Sequence, residues 1–161
     1  MTVRVGYGLG TRTITNDTER FGALVDGLEA LRFDSLWLSE KITDDCPDPV
    51  VALSFAAART TKLKLGTSVL VLPGRNPMLL AKELASLDRL SSGRLLPALG
   101  LGQVDRGEQQ AFGVERTERA ALFDEALSVM RACWSGEPVE HQIGEDARPR
   151  VAVRRPRLRG A

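Results

Sequence analysis

"KLKLGTSVLVLPGRNPMLLAKELASLDRLSSGRLLPALGLG", residues 62–102, holds one complete strand–helix–strand unit. Lys62 to Pro73 is a β-branched and leucine-rich run of strand length, with Ser68 set inside it. It stops at a proline and a Gly-Arg-Asn turn. Asn76-Pro77 then offers a helix N-cap followed by a proline at the first helical position. Leu80, Leu84 and Leu87 fall on one face of the helix, and Gly93 suits the residue just past its end. Leu95 to Gly102 is the next strand. Two strands joined through one helix are a parallel crossover, so this stretch already points to an α/β fold.

The same unit recurs on both sides. Val3, Val5 and Tyr7 alternate with Arg4 and Gly6 as a first strand, followed by a helix in which Phe21, Leu24, Val25, Leu28 and Leu31 keep helical spacing. Asn16, with Glu19 three residues on, reads as the capping box of that helix. Ser35 to Ser39 is a second strand, and Asp48-Pro49 starts a second helix. A fourth helix is expected over Thr117–Ser135, with Phe123, Leu127, Met130 and Trp134 on its buried stripe and Gly136 as its stop. Strand starts recur about every 30 residues, the length of a strand plus its crossover helix. The pattern is (βα)4, which fits a doubly wound open sheet or part of a (β/α)8 barrel. A whole barrel takes around 250 residues, so the 161 residues here amount to about half of one.

A formal net charge of +1 argues against a surface built for nucleic acid or an anionic membrane. From Glu145 onward the chain carries six arginines, read as a solvated, disordered tail with non-specific polyanion binding as its sharper alternative. Cys46 and Cys133 lie far apart with no metal-ligand spacing, which suits a reducing, cytoplasmic setting. No run approaches the roughly 18–20 apolar residues of a membrane span, and the N-terminus lacks a signal-peptide pattern.

Glycines punctuate two strand ends, Gly6–Gly10 and Gly100–Gln103, but a dinucleotide fingerprint opens straight into a helix, and after the first a polar loop, Thr11–Thr15, intervenes. They read as turns or close backbone approaches, with a phosphate cradle as the alternative for the second. Glu40 and Lys41 place a carboxylate and an amine at the C-terminal tip of the second strand, the end at which parallel α/β folds bind ligands. His141 is the single histidine, which disfavours a Ser/His/Asp triad or a histidine-rich metal site. Trp37 and Trp134 stand at apolar positions and are assigned to the core.

Residues 65–102, "LGTSVLVLPGRNPMLLAKELASLDRLSSGRLLPALGLG", resemble the luciferase-like monooxygenase family, above all its deazaflavin-dependent (coenzyme F-420) branch. "LEALRFDSLWLSEK" is similar to the family's first helix and second strand, and "FGVERTERAALFDEALSVMRACWSGEPV" to its fourth helix. The resemblance covers roughly Met1 to Val139, so residues 1–140 are expected to form a half-barrel and residues 141–161 a basic tail.

The resemblance implies a (β/α)8 barrel that binds a deazaflavin, or alternatively FMN, at the C-terminal mouth of its strands. It implies a non-proline cis peptide at Ser68-Val69 that backs the ring, with Gly100, Gly102 and Gln103 also lining the cofactor. Glu40 and Lys41 are the implied catalytic pair, Lys41 standing where several deazaflavin enzymes have histidine. Gln103 stands where relatives that oxidise sugar phosphates carry a catalytic glutamate, so that activity is not implied. The implied chemistry is hydride transfer to or from a small organic substrate; FMN-dependent monooxygenation and a non-catalytic, truncated half-barrel are the other readings. Four βα units leave two open edges, so pairing with a second copy or another chain is expected.

Overall fold

The structure, a computed structural model, describes residues 3–11 and 17–136. Asn16, His141 and the arginine-rich stretch lie outside the described residues. The chain runs β1 (Gly6–Leu9), α1 (Thr18–Ala30), β2 (Ser35–Leu38), α2 (Pro49–Arg59), β3 (Lys64–Thr67) and β4 (Leu70–Val71). It continues with α3 (Pro77–Leu90), β5 (Leu95–Leu96), β6 (Leu99–Gly100), α4 (Arg106–Phe112) and α5 (Arg119–Ser135).

The helix starts follow the capping chemistry. Asp48 Oδ1 accepts from Val51 N at 3.0 Å, and Asn76 Oδ1 accepts from Met78 N and Leu79 N at 3.0 and 3.1 Å. Each cap is followed by proline, whose missing N–H costs nothing in the first turn. α1 is capped by Asp17 rather than Asn16, its Oδ1 accepting from Glu19 N and Arg20 N. The first strand is also displaced: it occupies Gly6–Leu9, and Val3 and Val5 are exposed.

β1, β2, β3 and β5 are hydrogen-bonded in that order, all parallel, and β4 pairs with β6 beyond them. Each new strand is added on the same side as the last, so the winding never reverses. A doubly wound sheet requires a reversal, which leaves the (β/α)8 type. The core agrees: Leu9, Leu36, Leu38, Leu65 and Leu95 point from one sheet face into the helices, where they meet Val25, Leu53, Leu84 and Met130. On the other face, Gly8 pairs with Trp37 and Trp37 with Gly66, in register. Trp37 is therefore not in the helix-packed core; it lies half-buried across that second face, its Nε1 donating to Ser35 Oγ at 2.8 Å. A Cβ on Gly66 would come within 2.2 Å of the Trp37 ring, so glycine there makes room for it.

α5 begins two residues later than the sequence suggests, and its buried residues are Ala126, Val129, Met130 and Cys133. Phe123, Leu127 and Trp134 pack only partly against the core, because the stripe is rotated toward the smaller side chains that let α5 sit close to α3.

Two of the four strand lines are broken at the same level. β3 passes into β4 through a cis peptide at Ser68-Val69, and β5 passes into β6 through Pro97-Ala98. Proline has no N–H for the ladder. The Thr67 hydroxyl, fully buried, fills the gap by donating to Ala98 O at 2.8 Å and accepting from Ala98 N at 2.9 Å. The ladder resumes with Leu70 N donating to Ala98 O and Leu72 N to Gly100 O.

The N-terminal ends of the strands are braced separately. The Glu29 carboxylate accepts from the amides of Thr61, Lys62 and Leu63 and from the Thr61 hydroxyl. Partial burial opposes its ionisation, but those donors outweigh it and hold the carboxyl down at about 2. Buried Arg94 bonds the carbonyls of Ala57, Leu63 and Ser91 and the Thr60 hydroxyl. With this end committed to stability, the C-terminal ends are left for function.

Replacing Thr67 by the isosteric valine leaves the half-buried Ala98 N without its acceptor, and a loss of roughly 1 kcal/mol is expected for that orphaned donor. Urea unfolding of Thr67→Val against wild type measures it.

Candidate functional site at the strand mouth

The C-terminal tips of β2, β4 and β6 converge. The segment after β2 holds Ser39, Glu40 and Lys41, and each makes a different contact. Ser39 Oγ donates to Ser68 O at 2.9 Å, while Ser68 N donates to Leu38 O at 2.7 Å. The β3–β4 break is thus stitched to β2 on both sides of Ser68. Ser68 and Val69 are nonetheless exposed, Val69 at 39%.

Gly100 explains how Val69 is held. A Cβ at residue 100 would lie 2.5 Å from Val69 Cγ2, so only glycine lets the valine rest on β6. Gly102, at φ +82°, takes a left-handed conformation that L side chains disfavour, and a Cβ there would press to 3.0 Å of Val71. These two glycines accommodate Val69 and Val71. Gln103 is exposed, and its carbonyl, with that of Gly102, accepts from Arg119 Nη1 at 3.0 and 3.2 Å. A shallow pocket lined by Val71, Gly102, Gln103, Phe112 and Arg119 opens beside them.

Glu40 is buried, and both its carboxylate oxygens are engaged. Oε2 accepts from Val71 N at 2.6 Å, and Oε1 pairs with the Arg75 guanidinium. Arg75 also donates to Val71 O at 2.9 Å and lies over the Phe112 ring. Burial pushes the Glu40 carboxyl above its usual range, against the pull of the Val71 amide and Arg75. The geometry makes Glu40 a brace that holds β4 in place.

Lys41 Nζ lies 2.7 Å from Asp44 Oδ1, and this hydrogen bond raises its pKa, with Asp105 and Glu108 adding to the effect. The side chain is held as an ammonium, suited to stabilising negative charge and poorly suited to accepting a proton.

Among the sequence-selected residues, the structure brings Glu40, Ser68, Val69, Gly100 and Gly102 together around β4, with Lys41 on the neighbouring segment. Arg75, Glu108 and Thr43 were not selected. Glu108 is buried at 3% exposure on α4, a helix the sequence reading passed over, and its carboxylate accepts from Ile42 N, Thr43 N and Thr43 Oγ1. The Asp105–Glu108 spacing of a capping box was the available signal: Asp105 Oδ1 does accept from Glu108 N at 3.0 Å.

A parallel sheet wound in one direction, with its glycine-backed strand tips and polar loops gathered at the C-terminal mouth, defines half of a (β/α)8 barrel. The sequence profile described as luciferase-like monooxygenase matches residues 2–159, and the chain belongs to that family. The match runs past Val139 into the arginine-rich stretch. Limonene 1,2-monooxygenase of Rhodococcus erythropolis is 33% identical over 119 residues, covering 72% of this chain and 30% of that protein. An F420-dependent glucose-6-phosphate dehydrogenase of Kineococcus radiotolerans is 35% identical over 116 residues, covering 66% of this chain and 34% of that protein. The crystal structure of monooxygenase RslO1 from Streptomyces bottropensis superposes with a TM-score of 0.82 at 27% identity, over 98% of this chain and 52% of that one. The chain spans about a third of the length of these curated relatives and about half of that structure.

Arg75→Met strands the buried Glu40 carboxylate, and a cost of about 3 kcal/mol is expected for breaking a buried pair on one side. Arg75→Met combined with Glu40→Gln should recover part of that loss, which a double-mutant cycle by urea unfolding reads directly.

Proposed function

We propose that this chain forms the ring-binding half of an oxidoreductase that transfers hydride between deazaflavin coenzyme F-420 and a small organic substrate in the cytoplasm. The observation that carries the reading is the exposed Ser68–Val69 ledge at the mouth. Val69 offers an apolar surface backed by Gly100, and Ser39 fixes the carbonyl of Ser68. A flat tricyclic ring fits such a ledge, since it needs apolar support on one face and nothing projecting through it. The bound deazaflavin supplies hydride acceptance and return; the chain supplies orientation and charge.

Each residue then has a task. Ser68 and Val69 support the ring. Gly100 and Gly102 keep the support flat by admitting the valines, and Gln103 borders the pocket beside it. Lys41, held as an ammonium, stabilises negative charge at the mouth electrostatically. Glu40 acts through Val71 and Arg75 by fixing the strand on which the ledge stands.

FMN-dependent monooxygenation is the second reading, favoured by the 33% identity to limonene 1,2-monooxygenase. A half-barrel that binds a ring or a partner without turnover is the third. The edges of β1 and β5 carry no partner strand among the described residues, and we further propose that a second copy or another chain covers them. No helix among the described residues is long and apolar enough to cross a membrane.

Titrating the protein with deazaflavin and with FMN, by fluorescence with light scattering in parallel, tests these readings. Saturable binding of the deazaflavin by a species of defined dimer mass is expected. Saturation by FMN alone would shift the assignment to the monooxygenase, and no binding by either ring would overturn both enzyme readings.

A further inference from the structure

We propose that Glu108 is a positioning residue, gripping the backbone just after Lys41 so that α4 sets where the Lys41 ammonium stands at the mouth. The three donors on its carboxylate all come from the two residues that follow Lys41: Ile42 N at 3.2 Å, Thr43 N at 2.9 Å and Thr43 Oγ1 at 2.6 Å. They lie 65 and 66 positions away in sequence, so the grip joins two different βα loops. Nothing in the turn chemistry of residues 41–46 requires a distant carboxylate. The turn is already closed by Asp44 N and Cys46 Sγ, which both reach the Lys41 carbonyl at 3.4 Å.

α4 is itself fixed at both ends. Asp105 caps its start, and Gly113, at φ +64°, ends it in the left-handed conformation. Glu108 therefore projects from a rigid support, and its burial at 3% exposure makes the charge costly unless all its donors stay in place. The carboxylates facing Lys41 are Asp44, in direct contact, and Asp105 and Glu108 from the α4 side. Glu108 thus acts on Lys41 twice, through the backbone it grips and through its field. This assignment rests on the reading that Lys41 serves the bound ring, but it is tested without the ring.

The test is competitive labelling of the ligand-free protein with trace acetic anhydride, reading acetylation of Lys41 against that of Lys82, an exposed lysine on α3, by mass spectrometry. In Glu108→Gln the Lys41-to-Lys82 ratio should rise several-fold, because the segment loosens and one facing charge is gone. Thr43→Val keeps the charge and deletes one donor, and should give a smaller rise of the same kind. A ratio unchanged in Thr43→Val and Glu108→Gln, or a rise shared by all lysines in both variants, would identify a merely stabilising contact and overturn the proposal. In wild type, added deazaflavin should shield Lys41. Failure of that arm alone counts against the ring reading and leaves the Glu108 assignment standing.

Discussion

The Thr67 hydroxyl sits where two neighbouring strand lines lose their regular ladder together. Pro97 can offer no N–H, and Ser68-Val69 turns β3 out of line, yet Ala98 keeps both its backbone groups satisfied because one buried hydroxyl donates to its carbonyl and accepts from its amide. That bridge joins the β3–β5 ladder to the β4–β6 ladder, which resumes where Leu70 N donates to the same Ala98 carbonyl. With it, the sheet makes a step at the C-terminal end and remains hydrogen-bonded on either side. The step is what brings Val69 to the surface and sets Gly100 behind it.

Around that step the mouth is held by buried carboxylates. Glu40 ties β2 to β4 through Val71 and Arg75; Glu108 ties the segment after β2 to α4. A buried carboxylate is expensive unless every lone pair is used, so such contacts hold position more than they add stability. At the opposite end Glu29 and Arg94 do the same for the strand starts. The family's many activities fit this division: a braced frame, with the loops at one end free to vary.

Much of this frame was legible in the sequence. Asp48-Pro49 and Asn76-Pro77 announced their helices because a cap followed by proline has a local physical cause, and the strand spacing gave the (βα)4 pattern. Helix α4 was passed over because seven residues with an internal glycine carry too little periodicity to register. Trp37 was misassigned because alternation tells two faces of a strand apart but not which one the helices cover. Its place opposite the helices follows from the register with Gly66, which only the paired sheet reveals. Glu40 and Lys41 were rightly placed at a strand tip, but their partners, Arg75 and Asp44, depend on how separate segments fold together. The Asp105–Glu108 spacing could have marked α4, but not the donors to the Glu108 carboxylate, which lie 65 and 66 positions away.

We propose that the stepped mouth, rather than any other surface among the described residues, takes the planar ring. Mapping backbone amide shifts by NMR during a deazaflavin titration tests it most directly. Changes confined to Ser39–Thr43, Ser68–Val71 and Gly100–Gln103 are expected. Changes centred on Glu29 and Thr61–Lys64, at the opposite end of the strands, would contradict it.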